Sequence, residues 1–360
     1  MRFGNDKFGF RALSAAAIGL LLLLGGQAYA EPKKEFSIAW TIYVGWMPWP
    51  YAADTGIVKK WADKYGIIIN VKQINDYVES INQYTTGGFD GVTATNMDGL
   101  TIPAAGGVDT TILIIGDFSN GNDGIVSKAA KTIADLRGQS INLVELSVSH
   151  YLLARALDGA GLSEKDVTIV NTSDADMVAA FKSPDTSTVV TWNPLLAEVK
   201  AEPGSAALFD STQIPGEIID TLMVNTEVLK DNPDFGKALA GIWYETMSVL
   251  TDPGEKGKAA RTAMGELSGT DLAGFDVQLA ATKLFVTPQE AVAFTESEDL
   301  VKTMDLVRTF SFDHGLLGEG AADKDAIGIA FPGGRVLGSA ENVKLRFDAS
   351  YMKIAAEGSL

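Results

Sequence analysis

Past residue 31 the chain alternates short β-rich apolar runs with stretches whose apolar residues recur every three or four positions. That alternation predicts an α/β fold with a largely parallel sheet. Residues 36–43 read as a strand; over 55–65, Ile57, Val58, Trp61 and Tyr65 share one helical face and Gly66 stops the helix. Residues 67–74 form the next strand. Tyr77, Ile81 and Tyr84 mark a helix over 75–85 that ends at Gly87 and Gly88, and 89–95 and 110–115 are further strands. A second run of βα units follows Lys128: strands over 140–144, 167–170 and 187–192, helices over 149–160 and 174–181. Residues 218–225 are apolar enough for a strand that leads back, and from Asn232 the pattern is mostly helical. The Gly-rich stretch 315–338 reads as an irregular surface loop.

This order predicts two lobes. Lobe 1 takes 31–126 and 222–360, lobe 2 takes 127–221, and the chain crosses between them near 125–128 and near 221–225. Residues 1–30 carry a different pattern. Arg2, Lys7 and Arg11 precede an apolar run over 12–24, and Ala28-Tyr29-Ala30 has the small-x-small form cut by signal peptidase. An apolar run of that length is short of the ~20 residues of a membrane span. A cleaved signal peptide and a periplasmic product are expected.

Composition narrows the chemistry. The 360 residues hold 29 Lys plus Arg against 46 Asp plus Glu, a formal charge of -17. Nucleic acid is not an expected partner, because phosphate recognition needs basic surface. There is no Cys, so disulfides, thiolate metal sites and cysteine nucleophiles are excluded. The two His, 150 and 314, are far apart in sequence and make a poor metal set; neither a metal nor a cofactor is expected. No G-x-S-x-G elbow or Walker A loop is present, so no enzyme is expected.

Asp-Leu-Arg-Gly at 135–138, a strand, and then Ser-His-Tyr-Leu-Leu-Ala-Arg-Ala-Leu at 149–157 resemble the periplasmic solute-binding proteins of the nitrate/sulfonate/taurine type, over essentially the whole chain after residue 30. Gly-Trp-Met-Pro-Trp-Pro at 45–50, Asn-Asp-Tyr-Val-Glu-Ser at 75–80, Thr-Asn-Met-Asp-Gly at 95–99 and Thr-Trp-Asn-Pro at 191–194 look closer to one branch, associated with urea carboxylase-type enzymes, whose cargo is urea or guanidine. The resemblance implies a type II-like two-lobed clamp, each lobe a mostly parallel sheet flanked by helices, with two crossover strands as hinge. It further implies a small-molecule solute, and an ABC permease and its ATPase in the inner membrane as partners of a monomer. Nitrate, taurine or an aliphatic sulfonate is the alternative cargo. A thiamine-pyrimidine-synthase-like enzyme and a sensory ligand-presenting module are the alternative classes.

In open α/β sheets ligands sit beyond the carboxyl ends of the strands. In lobe 1 those positions are Gly45, Trp46 and Trp49, then Asn75 and Asp76, then Asn96 and Asp98, then Asp117. Between Phe36 and Ile125 the only basic residues are Lys59, Lys60, Lys64 and Lys72, on a predicted helix or inside a strand. An acidic mouth without cations disfavours an anion and suits guanidinium, whose N–H pairs match carboxylates and whose face can lie on an indole. The candidate ligand-binding residues are therefore Trp46, Glu79, Asn96, Asp98 and Asp117 from lobe 1, and Glu145, Ser147 and Trp192 from lobe 2. Each also has a structural role open to it. Asp76 and Glu79 have capping-box spacing, Asp98 and Asp117 adjoin Gly99 and Gly116 as turn residues do, and either Trp can be core. Glu145 and Ser147 precede the helix near Ser149, whose N–H groups are the basis of the anion alternative.

Overall fold

The computed structural model describes residues 33–360, so the expected signal peptide lies outside the described residues. Four strands open the chain: β1 Glu35–Trp40, β2 Ile68–Gln73, β3 Gly91–Thr95 and β4 Thr110–Ser119. Five follow in a second sheet: β5 Asp123–Ser127, β6 Ser140–Leu143, β7 Thr168–Asn171, β8 Thr188–Trp192 and β9 Ala206–Asp210. The rest return to the first: β10 Ile219–Asn225, β11 Thr282–Leu284, β12 Gly328–Ala330, β13 Val336–Leu337 and β14 Val343–Phe347.

The large sheet has the order β13-β12-β14-β4-β10-β3-β1-β2, with β11 on β4, and the small one β7-β6-β8-β5-β9. Most strands run parallel, as their βα connections require. The exceptions that matter are β10, antiparallel to β3 and β4, and β5, antiparallel to β8 and β9. They are the strands by which the chain enters each sheet from the other. The crossings themselves occupy 120–122 and 211–218, a few residues earlier than the apolar pattern suggested, because 125–127 and 221–225 pair fully inside β5 and β10. Ser119 and Ser211 join the two crossings, hydroxyl to hydroxyl, at 2.7 Å. This is the two-lobed periplasmic binding protein fold, α/β with mixed sheets.

Two local expectations are corrected, both after residue 232. Earlier in the chain the stretch around Pro48 and Pro50 is a helix, Pro48–Asp54, because proline is tolerated in a first turn, where its missing N–H has no partner to lose. Residues 315–338 contain β12 and β13, and the region after Asn232 contributes β11 to β14 besides its helices. Glycine serves close approach there. A Cβ on Gly328 would lie 2.1 Å from the Ser339 carbonyl, so strand and neighbouring loop could not pack with any side chain between them. Among the described residues no helix is long and apolar enough to cross a membrane.

Candidate functional site

The two sheets meet over a narrow cavity of about 10 Å³. Its walls come from strand ends, as the strand-end rule requires. Beyond β1 a single 3-10 turn, Val44–Trp46, places Tyr43 and Trp46 edge to face at 5.1 Å. Trp46 stacks on Tyr77 of helix Tyr77–Thr85 at 5.7 Å, and Tyr77 meets the edge of Trp192, the last residue of β8, at 5.6 Å. Four rings thus form a continuous cage across both lobes. Thr95, Val148 and Ile218 complete the apolar part, and Asp123 and Asp220 supply the charge.

Four buried aspartates converge here. Asp117 on β4 and Asp220 on β10 are directly opposite in the strand register. They share a hydrogen bond, which demands one proton between them, and Tyr43 Oη donates to Asp117 Oδ1 at 3.3 Å. Asp98, in the turn after β3, accepts from Tyr77 Oη at 2.7 Å and Thr95 Oγ1 at 2.8 Å, so it stands behind the Tyr77 ring and orients it. Burial pushes Asp98 up to about 6, and Asp117 and Asp123 up to about 7. Asp220 is raised well above the carboxylate range, by burial and then by the charge of Asp117. Burial raises Tyr43 and Tyr77 as well, so both phenols stay neutral.

None of the lining residues is basic. Asp123 and Asp220 bring two buried carboxylates to the wall, and the donor Trp46 Nε1 is buried there without a hydrogen-bond partner. Buried carboxylates without a cation are costly, and two in one wall mark a site that favours donors. Gly45 makes the crowding possible: a Cβ there would lie 2.3 Å from Asp117 Oδ2 and 2.6 Å from the Tyr43 ring. Gly45→Ala is expected to lower stability by about 1–3 kcal/mol, read by urea denaturation.

Of the sequence-predicted residues, Trp46 and Trp192 line the cavity, and Asp98 and Asp117 lie directly behind its wall. Asn96 is buried but consumed, bonding the Glu217 carbonyl and the Ile219 N–H so that β10 is pinned beside β3. Glu79 and Glu145 sit in the outer cleft with Asp76 and Ser173, away from the cavity. Asp76 caps its helix through the Glu79 N–H at 2.8 Å and takes the Ser173 hydroxyl at 2.7 Å, whereas the Glu79 side chain turns to Gln83. Ser147 caps helix Val148–Gly159 by accepting from the Ser149 N–H, and the Val148 N–H is directed at Asp98. The helix N-terminus needed for an anion is therefore already occupied by the protein's own groups. Trp49 belongs to the core, 5.5 Å from Trp243.

Tyr43, Tyr77, Asp123 and Asp220 were not singled out from sequence. Asp220 had a legible signal, an ionisable residue inside an otherwise apolar returning strand. The two His, far apart in sequence, come together in space: both meet Glu164, with ligand-capable atoms within 4.8 Å of one another. A larger groove of about 500 Å³ beside Phe331, Phe347 and Tyr351 is widely open, and its Arg346 is held by Asp109 through two hydrogen bonds.

The chain is similar to a binding protein of Brucella abortus (strain 2308), 26% identical over 155 residues, which are 42% of this chain and 48% of the relative. It is also similar to an aliphatic sulfonates-binding protein of Escherichia coli K12, 34% identical over 84 residues, 23% of this chain and 26% of the relative. The match spans about half the length of the first of these and a quarter of the second. Among solved structures, the alkanesulfonate-binding protein of Xanthomonas axonopodis pv. citri bound to MOPS superposes with a TM-score of 0.66 at 17% identity, covering 82% of this chain and 99% of that one. The periplasmic nitrate-binding protein of Synechocystis PCC 6803 gives 0.65 at 13% identity, covering 91% and 89%. The family model described as NMT1/THI5 like matches residues 55–242, more than half of the chain, and the chain belongs to that family.

Proposed function

We propose that this chain is the periplasmic solute-binding component of an ABC importer and that its cargo is a small planar cation of the guanidinium type. The observation that carries the cargo is the pair of buried carboxylates, Asp123 and Asp220, in the wall of an aromatic cavity with no basic lining residue. A guanidinium ion supplies five or six N–H donors in a plane, two-point pairing to carboxylates and a face that stacks on indole or phenol. A nitrate or sulfonate would enter against four aspartates with no cation to receive it. Urea has the shape but not the charge. With the lobes closed as here the cavity holds about 10 Å³, room for about one water, so the lobes must part to admit a cargo of a few heavy atoms.

The importer role is supported by the fold and by the binding roles carried in the names of the neighbours, sulfonate and nitrate binding among them. A permease and its ATPase would then be the partners, and a monomer the delivering species. Cargo rests on the large lobe, between Trp46 and the Asp117–Asp220 pair; the small lobe brings Trp192, Asp123 and Val148 down on it. Rotation about the crossings at 120–122 and 211–218 opens the clamp. Four heavy atoms at about 1.5 kcal/mol each give near -6 kcal/mol, a Kd of tens of micromolar, which charge-assisted contacts tighten.

A thermal-shift panel tests this reading. Guanidinium, and more weakly methylammonium, should raise the melting temperature, while nitrate and taurine at equal ionic strength should not. Stabilisation by taurine or nitrate without guanidinium would overturn it.

A further inference from the structure

Outside the cavity, His150, Glu164 and His314 form a cluster that ties the lobes together. His150 lies in the first turn of helix Val148–Gly159 and Glu164 in the short turn after it, both in the small lobe; His314 ends helix Glu298–Asp313, which packs on the large lobe. One carboxylate oxygen of Glu164 takes His314 Nε2 at 2.5 Å, and the other faces His150 Nε2. The His314 ring stacks on Phe310 at 3.9 Å, and His150 and Tyr151 meet the same ring edge-on.

The far nitrogens fix where the protons are. The Leu146 N–H donates to His150 Nδ1 at 3.1 Å, so Nδ1 offers a lone pair and the hydrogen sits on Nε2, toward Glu164. Leu146 is the one non-glycine residue with positive φ among the described residues, at 63°, a conformation that costs about 1 kcal/mol or more and that aims this N–H. His314 is different. Its Nδ1 lies 2.8 Å from the Phe310 carbonyl and its Nε2 faces a carboxylate, both acceptors only, so the ring must carry two hydrogens and a charge. A metal ion would need a bare Nε2 on both rings, and the Leu146 N–H denies that to His150.

We propose that this trio is a proton-held clasp: protonated His314 binds the small-lobe helix, and with it the Val148 wall of the cavity, against helix Glu298–Asp313, and the closed form loosens when that proton leaves. The surroundings support retention of the proton. Asp313 adjoins His314, Asp158 and Asp305 line the adjoining groove, and the one cation there, Arg155, is already paired in a bidentate manner with Glu217, which also accepts from Tyr151. Asp305 is shared by Arg308 and Lys324. The Glu164 hydrogen bond raises His314 above its ordinary 6.5, and the two histidines hold Glu164 at about 2 against its burial. The clasp is therefore complete below pH 6.5 and is lost as pH rises through the raised value.

This inference rests on closure of the lobes over cargo, and its test separates the two. The melting temperature of the empty protein is compared with that of His314→Gln from pH 6 to 9. The wild-type excess should be several degrees at pH 6 and absent at pH 9, with Glu164→Gln behaving like His314→Gln. Stopped-flow release of guanidinium, followed by Trp46 and Trp192 fluorescence, should quicken several-fold over the same range in wild type only. An unchanged pH profile in His314→Gln would overturn the clasp, as would stabilisation of wild type by micromolar Zn²⁺ that His314→Gln loses. Failure of guanidinium to bind would leave the melting comparison intact.

Discussion

Asp123→Asn and Asp220→Asn are each expected to weaken guanidinium binding by about 30-fold or more, because truncating one partner of a buried charge pair costs ~2–5 kcal/mol. The same substitutions should raise the melting temperature of the empty protein. Asparagine keeps the shape of the side chain and removes the need to bury a charge. A carboxyl moved from its ordinary 3.8 to about 7, as Asp123 is, corresponds to about 4 kcal/mol between the protonated and ionised folded states. The sign follows from linkage: a raised folded value gives stability that is full below 3.8 and lost as pH rises through about 7. At pH 8 the variants should therefore melt several degrees above wild type, and at pH 4 the difference should vanish. Loss of binding together with loss of stability would mean that the aspartates hold the fold, and not the cargo.

Affinity for a cation should fall with acid. Asp117 and Asp123 titrate near 7 and Asp98 near 6 in the empty protein, so capture requires protons to leave. With one such proton titrating near 7, the apparent Kd should weaken by about 15-fold between pH 7 and pH 5.5. Titration calorimetry in two buffers of different ionisation enthalpy should show proton release near pH 6.5. An anionic cargo predicts the reverse, with affinity rising as the aspartates are neutralised and protons taken up. Loss of the His314 clasp acts at the other end of the pH range, so guanidinium affinity should be highest near neutrality.

Much of the fold is legible in the sequence because βα alternation is a strong pattern and Gly66, Gly87 and Gly88 punctuate it. The strands after Asn232 are short, two to five residues, and exist because β4 and one another pair with them; nothing in their own pattern distinguishes them from loop. The site was legible where the strand-end rule points to a ring or an acid, as for Trp46, Trp192, Asp98 and Asp117. The rule gives position along the chain but not depth. Glu79 and Glu145 satisfy it and lie in the outer cleft. Asp220 fails it because β10 is antiparallel, so its cavity end is its beginning, and the acid sits one residue into the strand. Tyr77 follows the apolar period of its helix, and only the partners of its hydroxyl, Asp98 and the Thr95 N–H, reveal a polar task.

Guanidinium and urea are close to isosteric, planar and of four heavy atoms each, and differ in charge. Their calorimetric titration into the same protein at pH 7.5 and low salt isolates whether the buried aspartates select a cation. Guanidinium should bind at least 100-fold more tightly than urea, and the gap should close in Asp123→Asn. Urea binding as tightly as guanidinium, or more so, would contradict a cavity selected for charge.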